Sequence, residues 1–301
     1  MSNQRDFVFI MHGARSEQPD IRDLITRVRD EGHAVEPRIT WSAGDATTFA
    51  REGAERGADV IVALGGDGTV NEVINGLEGF DIPVGIIPVG TANDFARQTG
   101  IPLDVDHAMD VILAGEPVRV DTAELNGKRY LNVSTGGVGA EATAETPVEA
   151  KEALGLFAYA ITGVRKLAGL EPRAARFEGP GFDLSLEFLI FAVGNGRVTG
   201  GGTLITPRAR ATDGLLDLCI IEGMPVGEFA RMMFRIKRGE HLEDDGVRYL
   251  QTPEVVITSD SAISVNVDGE PSDGRRLAYR VRPGDLRAYL PRLPGDPEPE
   301  E

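Results

Sequence analysis

One glycine-rich segment is well suited to bind an anion. The apolar run Val60 to Leu64 leads into Gly65-Gly66-Asp67-Gly68-Thr69, and residues typical of a helix follow. Glycines let the backbone turn sharply and approach a ligand closely. N–H groups at a helix start then attract a phosphate. The segment therefore predicts a phosphate-binding loop.

Asp67 adds a second property to this loop. A carboxylate beside phosphates is repulsive unless a metal ion accompanies the nucleotide. The chain has no G-x-x-x-x-G-K-[ST] sequence, which excludes an ordinary P-loop NTPase. The structural alternative is a tight strand-to-helix turn with Thr69 as the N-cap. We favour a site for a nucleotide with its metal ion.

A second segment has the same anion-binding features. It reads Ile87-Pro-Val-Gly90-Thr91-Ala-Asn93-Asp94-Phe-Ala-Arg97. Thr91 offers a hydroxyl and an N–H after a predicted strand, next to Gly90. We expect both loops to meet at one nucleotide. Asn93 and Asp94 have an alternative role as helix-capping residues, since Asn and Asp favour helix starts.

Two further acidic segments could do chemistry or simply form turns. A predicted strand, Ile263 to Val267, runs into Asp268-Gly269-Glu270, where Glu270 either accepts a proton or faces solvent in a hairpin. Asp213-Gly214 reads as a turn before a strand. The residues alone leave both choices open.

The surrounding pattern predicts how these loops are positioned. Strands are predicted at Phe7 to Met11, Val35 to Thr40, Val60 to Leu64 and Val84 to Val89, with helices between them. That order indicates a parallel sheet, whose ligands bind outside the carboxyl ends of the strands. The fold class is thus an α/β Rossmann-like domain, followed by a β-rich domain.

After Val120 the pattern changes to hairpin-like pairs. We predict strands in the segments 123–125, 130–134, 184–193, 215–221, 254–258 and 263–267, and one helix at about 148–167. The predicted domains are 1–122, with 286–294 returning to it, and 123–285. The tail 295–301 is rich in Pro and Glu and is expected to be flexible.

Composition excludes several classes of protein. The net charge of −17 argues against a nucleic-acid partner, and no apolar run approaches the roughly 20 residues of a spanning helix. We expect a cytoplasmic protein in which local basic patches allow peripheral membrane association. Cys219, the single cysteine, is expected to be buried. The four histidines lack the spacing of a zinc site.

The two glycine-rich segments resemble those of known kinases. G-G-D-G-T is similar to the signature shared by diacylglycerol kinases, sphingosine kinases, NAD kinases and phosphofructokinases. The segment 87–97 resembles the P-x-G-T-x-N-D-F-A-R block of the diacylglycerol kinase catalytic domain. Further segments resemble the bacterial YegS-like branch: 40–41, 44–46, 135–137, 145–147, 194–197, 200–202, 213–216 and 268–271.

The resemblance implies an ATP-dependent lipid kinase with its active site in a cleft between a nucleotide domain and a β-sandwich domain. It implies that ATP is bound by Thr40, by Gly65 and the segment Gly66 to Glu72 (Gly66, Asp67, Gly68, Thr69, Val70, Asn71, Glu72), and by Thr91. Catalytic roles fall to Glu270 as the base and to Asp67, Asp94 and Asp268.

The resemblance also implies that a metal ion, Mg²⁺ or Ca²⁺, is held by the Asp213 side chain and the main-chain carbonyls of Arg210 and Leu215. The expected partners are ATP and a lipid at the membrane surface.

Several alternatives stay open at this point. An NAD kinase-like enzyme or a non-catalytic nucleotide sensor would share the first loop. The segment 137–142 matches G-x-G-x-x-[GA] but lacks the context of a dinucleotide site. The helix-like segment 229–238 is apolar and basic, which suits either a membrane surface or a core-packed helix. The lipid is not identified, and a monomer or a homodimer is equally compatible.

Overall fold

A computed structural model describes residues 4–16, 18–137 and 171–291. The chain divides into two compact units, here called unit 1 (Met1–Val120 with Leu286–Glu301) and unit 2 (Asp121–Asp285). The predicted helix at 148–167, the segments 138–142 and 145–147, and the tail 295–301 lie outside the described residues.

Unit 1 is an α/β unit. Its elements are β1 (Asp6–His12), α1 (Gly13–Ser16), α2 (Pro19–Asp30), β2 (Ala34–Thr40), α3 (Asp45–Glu55), β3 (Val60–Gly65), α4 (Asp67–Gly76), β4 (Val84–Pro88), α5 (Asp94–Thr99) and α6 (Val105–Ala114).

The strands of unit 1 form a parallel sheet in the order β4-β3-β1-β2. All residues of β3 are buried, as expected for a parallel strand covered on both faces. Helix α2 begins with Pro19 and buries Ile21, Leu24 and Val28, which lie on one face. The four predicted strands are thus confirmed to within one or two residues.

Unit 2 is built mainly of antiparallel strands. Its elements are β5 (Val118–Leu125), β6 (Lys128–Tyr130), β7 (Val133–Gly137), β8 (Arg173–Gly179), β9 (Phe182–Gly194), β10 (Leu216–Glu222), α7 (Val226–Arg238), β11 (Val247–Thr252), β12 (Glu254–Val267) and β13 (Glu270–Ala288). Strand β5 starts in unit 1, and β13 ends there, where Ala288 pairs in parallel with Val84 of β4.

Within unit 2 the strand order is β11-β10-β9-β7-β12-β13, with β8 paired to both β9 and β12. Phe177, Phe188 and Phe191 contact each other edge-to-face in its core, with ring centroids 5.4 to 5.8 Å apart. Alternate residues of β9 and β10 face a second cluster, which helix α7 covers. The second half of β9, residues 188–194, and most of β10 are therefore buried on both faces.

Several predicted strand boundaries differ from the structure. The segment 130–134 is split between β6 and β7, because the N–H groups of Leu131 and Asn132 bond to Asp268 instead of to a neighbouring strand. The segments 254–258 and 263–267 belong to one strand, β12, whose pairing with β13 shifts register between Thr258 and Ile263. Likewise, residues 286–288 are the end of the long strand β13.

Candidate active site

The two glycine-rich loops of unit 1 lie side by side. Strands β3 and β4 are adjacent and parallel, with Gly65 opposite Pro88, so both loops leave the same edge of the sheet. The Val89 N–H donates to the Gly65 carbonyl oxygen at 3.1 Å. The two loops are adjacent, as expected, and their meeting at one nucleotide stays a prediction.

Contact between these loops requires glycine on both sides. A Cβ atom added at Gly90 would lie 2.4 Å from the Gly66 Cα, and one added at Gly66 would lie 3.2 Å from the Gly90 Cα. Real Cβ atoms do not tolerate the first of these distances, and the second is already tight. The absence of side chains here therefore allows direct backbone packing.

Asn93 fixes the second loop. Its Oδ1 accepts the Gly90 N–H at 3.0 Å, and its Nδ2 donates to the Gly90 carbonyl oxygen at 2.9 Å. Asn93 itself adopts a left-handed conformation, with φ of 50°, which Asn tolerates better than most residues. It occupies the N-cap position of α5, but its side chain does not cap that helix.

Asp67 supplies the missing cap from the other loop. Its two carboxylate oxygens accept the N–H groups of Asp94 and Phe95 at 3.0 and 3.1 Å, at the start of α5. Asp67 is also the first residue of α4. One carboxylate thus joins the starts of two helices. Sequence reasoning placed Asp67 beside phosphates as an exposed loop residue, whereas here it is partly buried and bonded to the backbone.

Gly68 and Thr69 lie in the first turn of α4. The helix begins at Asp67 with Gly66 as its N-cap, so the alternative with Thr69 as N-cap is wrong. Thr69 instead packs on Gly65, where an added Cβ would lie 2.3 Å from the Thr69 Oγ1. At Gly68 an added Cβ would have no heavy atom within 4 Å. The helix start is therefore open at Gly68.

The remaining residues that were predicted to bind the nucleotide differ in their exposure and contacts. Thr91 is exposed beside Gly90, whereas Val70 and Asn71 have buried side chains. Glu72 accepts the Ala46 N–H at 3.1 Å and so holds the start of α3. Its carboxylate therefore supports a neighbouring helix.

Thr40 ends strand β2 and is buried. The loop after it is shaped by Asp45, which accepts the N–H groups of Trp41 and Ser42, both at 2.8 Å. These bonds lower the pKa of Asp45. The hydrogen bond to Asp45 holds the Trp41 backbone, whereas the Trp41 side chain is 79% exposed. In the sequence, Trp41 is notable only as part of the segment 40–41 that resembles the YegS-like branch.

In unit 2, Asp268 and Glu270 lie at the hairpin between β12 and β13. Asp268 has φ of 47°, and its carboxylate accepts N–H groups from Leu131, Asn132 and Val133 at 2.8 to 3.1 Å. It therefore organises the connection between β6 and β7. Glu270 is partly exposed and forms an ion pair with Lys128, a residue that sequence reasoning missed.

Asp213 lies in a turn next to a second carboxylate. Its Oδ1 accepts the Leu215 N–H at 3.1 Å. Loss of solvent, with repulsion from nearby Asp121 as a smaller cause, raises the pKa of Asp213. A bound cation would favour the charged form of this carboxylate, whose oxygens are of the kind that hard cations accept.

Buried Asp121 was not predicted. Its carboxylate accepts the Gly214 and Gly284 N–H groups, each at 2.8 Å.

The predicted metal site at Asp213 consists of one carboxylate and two main-chain carbonyls, so it would not need a cluster of acidic side chains. Among the described residues, no group of three or more His, Cys, Asp or Glu could hold a metal.

The cysteine and one histidine lie in the core of unit 2. Cys219 is 1% exposed, and burial raises the pKa of its thiol to about 12. The Cys219 Sγ lies 3.6 Å from the Nε2 of buried His241. A thiol held protonated in this way is a poor nucleophile.

Comparison with known proteins shows the family to which the chain belongs. The profile of the diacylglycerol kinase catalytic domain matches residues 6–125, and that of the YegS C-terminal NAD kinase beta sandwich-like domain matches residues 133–290. Proteins named "Probable lipid kinase YegS-like" from Yersinia pestis (strain Pestoides F) and Yersinia pseudotuberculosis (serotype O:1b, strain IP 31758) are 36% identical to it. Each match covers 94% of this chain and 96% of the relative.

Solved structures agree with this assignment. A "putative diacylglycerol kinase" from Bacillus anthracis str. Sterne superposes with a TM-score of 0.82 at 25% identity, covering 97% of each chain. A second structure of that description, with a TM-score of 0.78 at 24% identity, shows the same fold.

The chain is therefore a kinase with a diacylglycerol kinase catalytic domain and a β-sandwich-like second domain. It belongs to the YegS-like lipid kinase family. The predicted family, fold class and kinase activity are confirmed. Within the part of the chain that the structure describes, no helix is long and apolar enough to cross a membrane.

We expect Asp67→Asn to lower the free energy of unfolding by about 1 kcal/mol, because an amide has one acceptor oxygen and leaves one α5 N–H without its partner. Denaturant unfolding measures this change. Asp23→Asn is the control, since Asp23 is an exposed residue of α2. Equal stability of the two variants would show that the bonds to α5 contribute nothing.

Proposed function

We propose that the chain transfers the γ-phosphoryl group of ATP to a hydroxyl group of a lipid such as diacylglycerol or phosphatidylglycerol. The observation that carries this proposal is the pair of glycine loops, packed backbone to backbone beside an open helix start. Family membership supports the same reaction, because relatives in this family are named as lipid kinases.

The phosphates of ATP are assigned to the start of α4. Main-chain N–H groups at a helix start face outward, and the helix dipole favours an anion there. The empty space at Gly68 gives a phosphate room to approach the backbone. Thr91 adds a hydroxyl from the second loop, and Thr40 is assigned to the nucleotide from the end of β2.

Trp41 follows Thr40 at the carboxyl end of β2 and is assigned to the nucleotide base. An exposed indole offers a flat apolar face on which a base can stack. Because Trp41 is the only tryptophan of the chain, its fluorescence reports nucleotide binding directly.

We assign a Mg²⁺ ion that binds together with ATP. When bound, it neutralises charge on the transferring phosphoryl group. Asp67 lies in the first turn of α4, and Asp94 lies in the first turn of α5. Asp67 also keeps the two loops together through its bonds to the start of α5. Its role in the reaction is therefore partly one of positioning.

Glu270 is assigned as the general base. It takes the proton from the lipid hydroxyl while that oxygen forms a bond to the γ-phosphorus. The bond from this phosphorus to the β–γ bridging oxygen breaks, and ADP leaves. Asp268 positions the neighbouring backbone through its three accepted hydrogen bonds. Lys128 holds the Glu270 carboxylate in one place until the substrate hydroxyl binds.

A second cation, Mg²⁺ or Ca²⁺, is assigned to Asp213 with the carbonyl oxygens of Arg210 and Leu215. Oxygen ligands of this kind suit hard cations. This ion has a structural role, because it offsets the repulsion between the Asp213 and Asp121 carboxylates.

An NAD kinase-like reaction is the remaining alternative, since the second domain is described as NAD kinase beta sandwich-like. Incubation with radiolabelled ATP separates the two reactions. We expect label in lipids from a lipid extract and none in NAD. Label in NAD alone would overturn the proposed substrate class.

We expect Gly68→Ala to weaken ATP binding about tenfold or more, equivalent to about 1.4 kcal/mol, because the new methyl group occupies the space assigned to a phosphate. Stability should hold or rise by up to about 1 kcal/mol, since alanine is the better helix former. A titration followed by Trp41 fluorescence measures the affinity.

Gly227→Ala is the matched control for Gly68→Ala, because Gly227 also lies in a first helical turn, that of α7, with nothing within 4 Å of an added Cβ. Equal ATP affinity of the two variants would contradict the assignment of phosphates to α4.

We expect Glu270→Gln to slow lipid phosphorylation by about 10²- to 10⁴-fold with little change in ATP affinity, because the amide keeps the size but cannot accept the proton. Lys128→Gln is the control, since it breaks the same ion pair and keeps the carboxylate. An equal loss in both variants would assign the effect to the ion pair. A normal rate for Glu270→Gln would make Asp268 or Asp94 the candidate base.

We expect Mg²⁺ or Ca²⁺ to raise the melting temperature by about 2 °C or more through binding at Asp213. Asp213→Asn should abolish this shift, because it removes the one anionic ligand. Thermal unfolding with cation or with chelator measures the shift, and Asp260→Asn, at an exposed residue of β12, is the control. A cation shift that survives in Asp213→Asn would place the ion elsewhere.

A further inference from the structure

Helix α7 has its apolar face in the core of unit 2. Phe229, Met232, Met233 and Ile236 are buried against β9 and β10. This packing confirms the core-packed interpretation of the segment 229–238. These four side chains are therefore not available for contact with a membrane.

The opposite face of α7 carries a second, exposed set of residues. Phe234 is 65% exposed. Arg231 precedes it by three residues, and Lys237 and Arg238 follow by three and four, so all lie on one side of the helix. We call Arg231, Phe234, Lys237 and Arg238 the α7 ridge. It combines one exposed aromatic ring with three cations.

Arg235 lies beside the ridge and has other partners. Its Nη1 forms an ion pair with the Asp244 Oδ1 at 2.5 Å, and its Nη2 donates to the Glu240 carbonyl oxygen at 2.6 Å. The guanidinium of Arg235 thus neutralises one carboxylate of the acidic loop after the helix, residues 240–245. Arg235 is therefore left out of the ridge.

We propose that the α7 ridge docks the protein on an anionic membrane surface. The proposal rests on the proposed function, because a kinase acting on a lipid has to reach a substrate held in a bilayer. A net charge of −17 repels such a surface at a distance, so attraction has to come from a local patch. On the ridge, Phe234 can enter the headgroup region while the flanking cations bind lipid phosphates.

The proposal is tested with the full chain and two ridge variants, Arg231→Glu with Arg238→Glu, and Phe234→Ser. Cosedimentation uses vesicles of phosphatidylglycerol and phosphatidylcholine in equal amounts. We expect the double variant to bind about tenfold or more weakly, since each cation near an anionic surface contributes about fivefold. The difference should shrink at high salt. Phe234→Ser should weaken binding at both salt concentrations.

The matched control is Arg22→Glu with Arg51→Glu, which makes the same change in net charge at two exposed residues of unit 1. We expect it to bind vesicles more tightly than the ridge double variant. Equal binding by the two double variants, or wild-type binding by both ridge variants, would overturn the proposal. A change of oligomeric state in the ridge variants without vesicles would make the ridge a protein interface and also overturn it.

Activity separates this proposal from the proposed function. Phosphorylation of a short-chain diacylglycerol that is dissolved as monomers should be the same in wild type and ridge variants. If wild type phosphorylates no lipid but still binds vesicles through the ridge, the proposed function fails and the docking surface stands. If the ridge variants lose activity on the dissolved lipid, the ridge has a role other than docking and the proposal fails.

Discussion

Backbone contact between Gly66 and Gly90 is the constraint on which the candidate site depends. Because neither residue carries a Cβ, the ends of β3 and β4 come close enough to form one surface. Asn93 then fixes Gly90, and Asp67 fixes the start of α5. A methyl group at Gly90 would lie 2.4 Å from the Gly66 Cα and would push the two loops apart.

Several carboxylates of this acidic protein accept main-chain N–H groups. Asp45, Asp67, Asp121 and Asp268 each bond two or more of them at a loop or a helix start. Such bonds satisfy backbone groups that would otherwise be left without partners. Glu270 differs, because its described partner is the side chain of Lys128. This difference matches the proposed roles, positioning for Asp268 and proton transfer for Glu270.

Much of the fold could be predicted from sequence, because it depends on local patterns. Apolar runs and glycines determine the parallel strands, and the two glycine-rich blocks identify the family. The links between distant segments could not be predicted. Asp67 meets the start of α5 twenty-seven residues later, and Asp268 meets Leu131 across 137 residues and Asn132 across 136. Such contacts depend on strand register and packing. The exposure of Trp41 and the pairing of Lys128 were missed for the same reason.

In the proposed function, an acidic chain can bind ATP because the donors assigned to the phosphates are main-chain N–H groups. These groups and the helix dipole act over a few ångströms and do not depend on the net charge of the protein. Side-chain cations are then not needed at the phosphates and can lie on other surfaces, such as the outer face of α7. Acidity elsewhere opposes nonspecific attraction to anionic surfaces. The protein would therefore meet a membrane in one orientation, set by the α7 ridge.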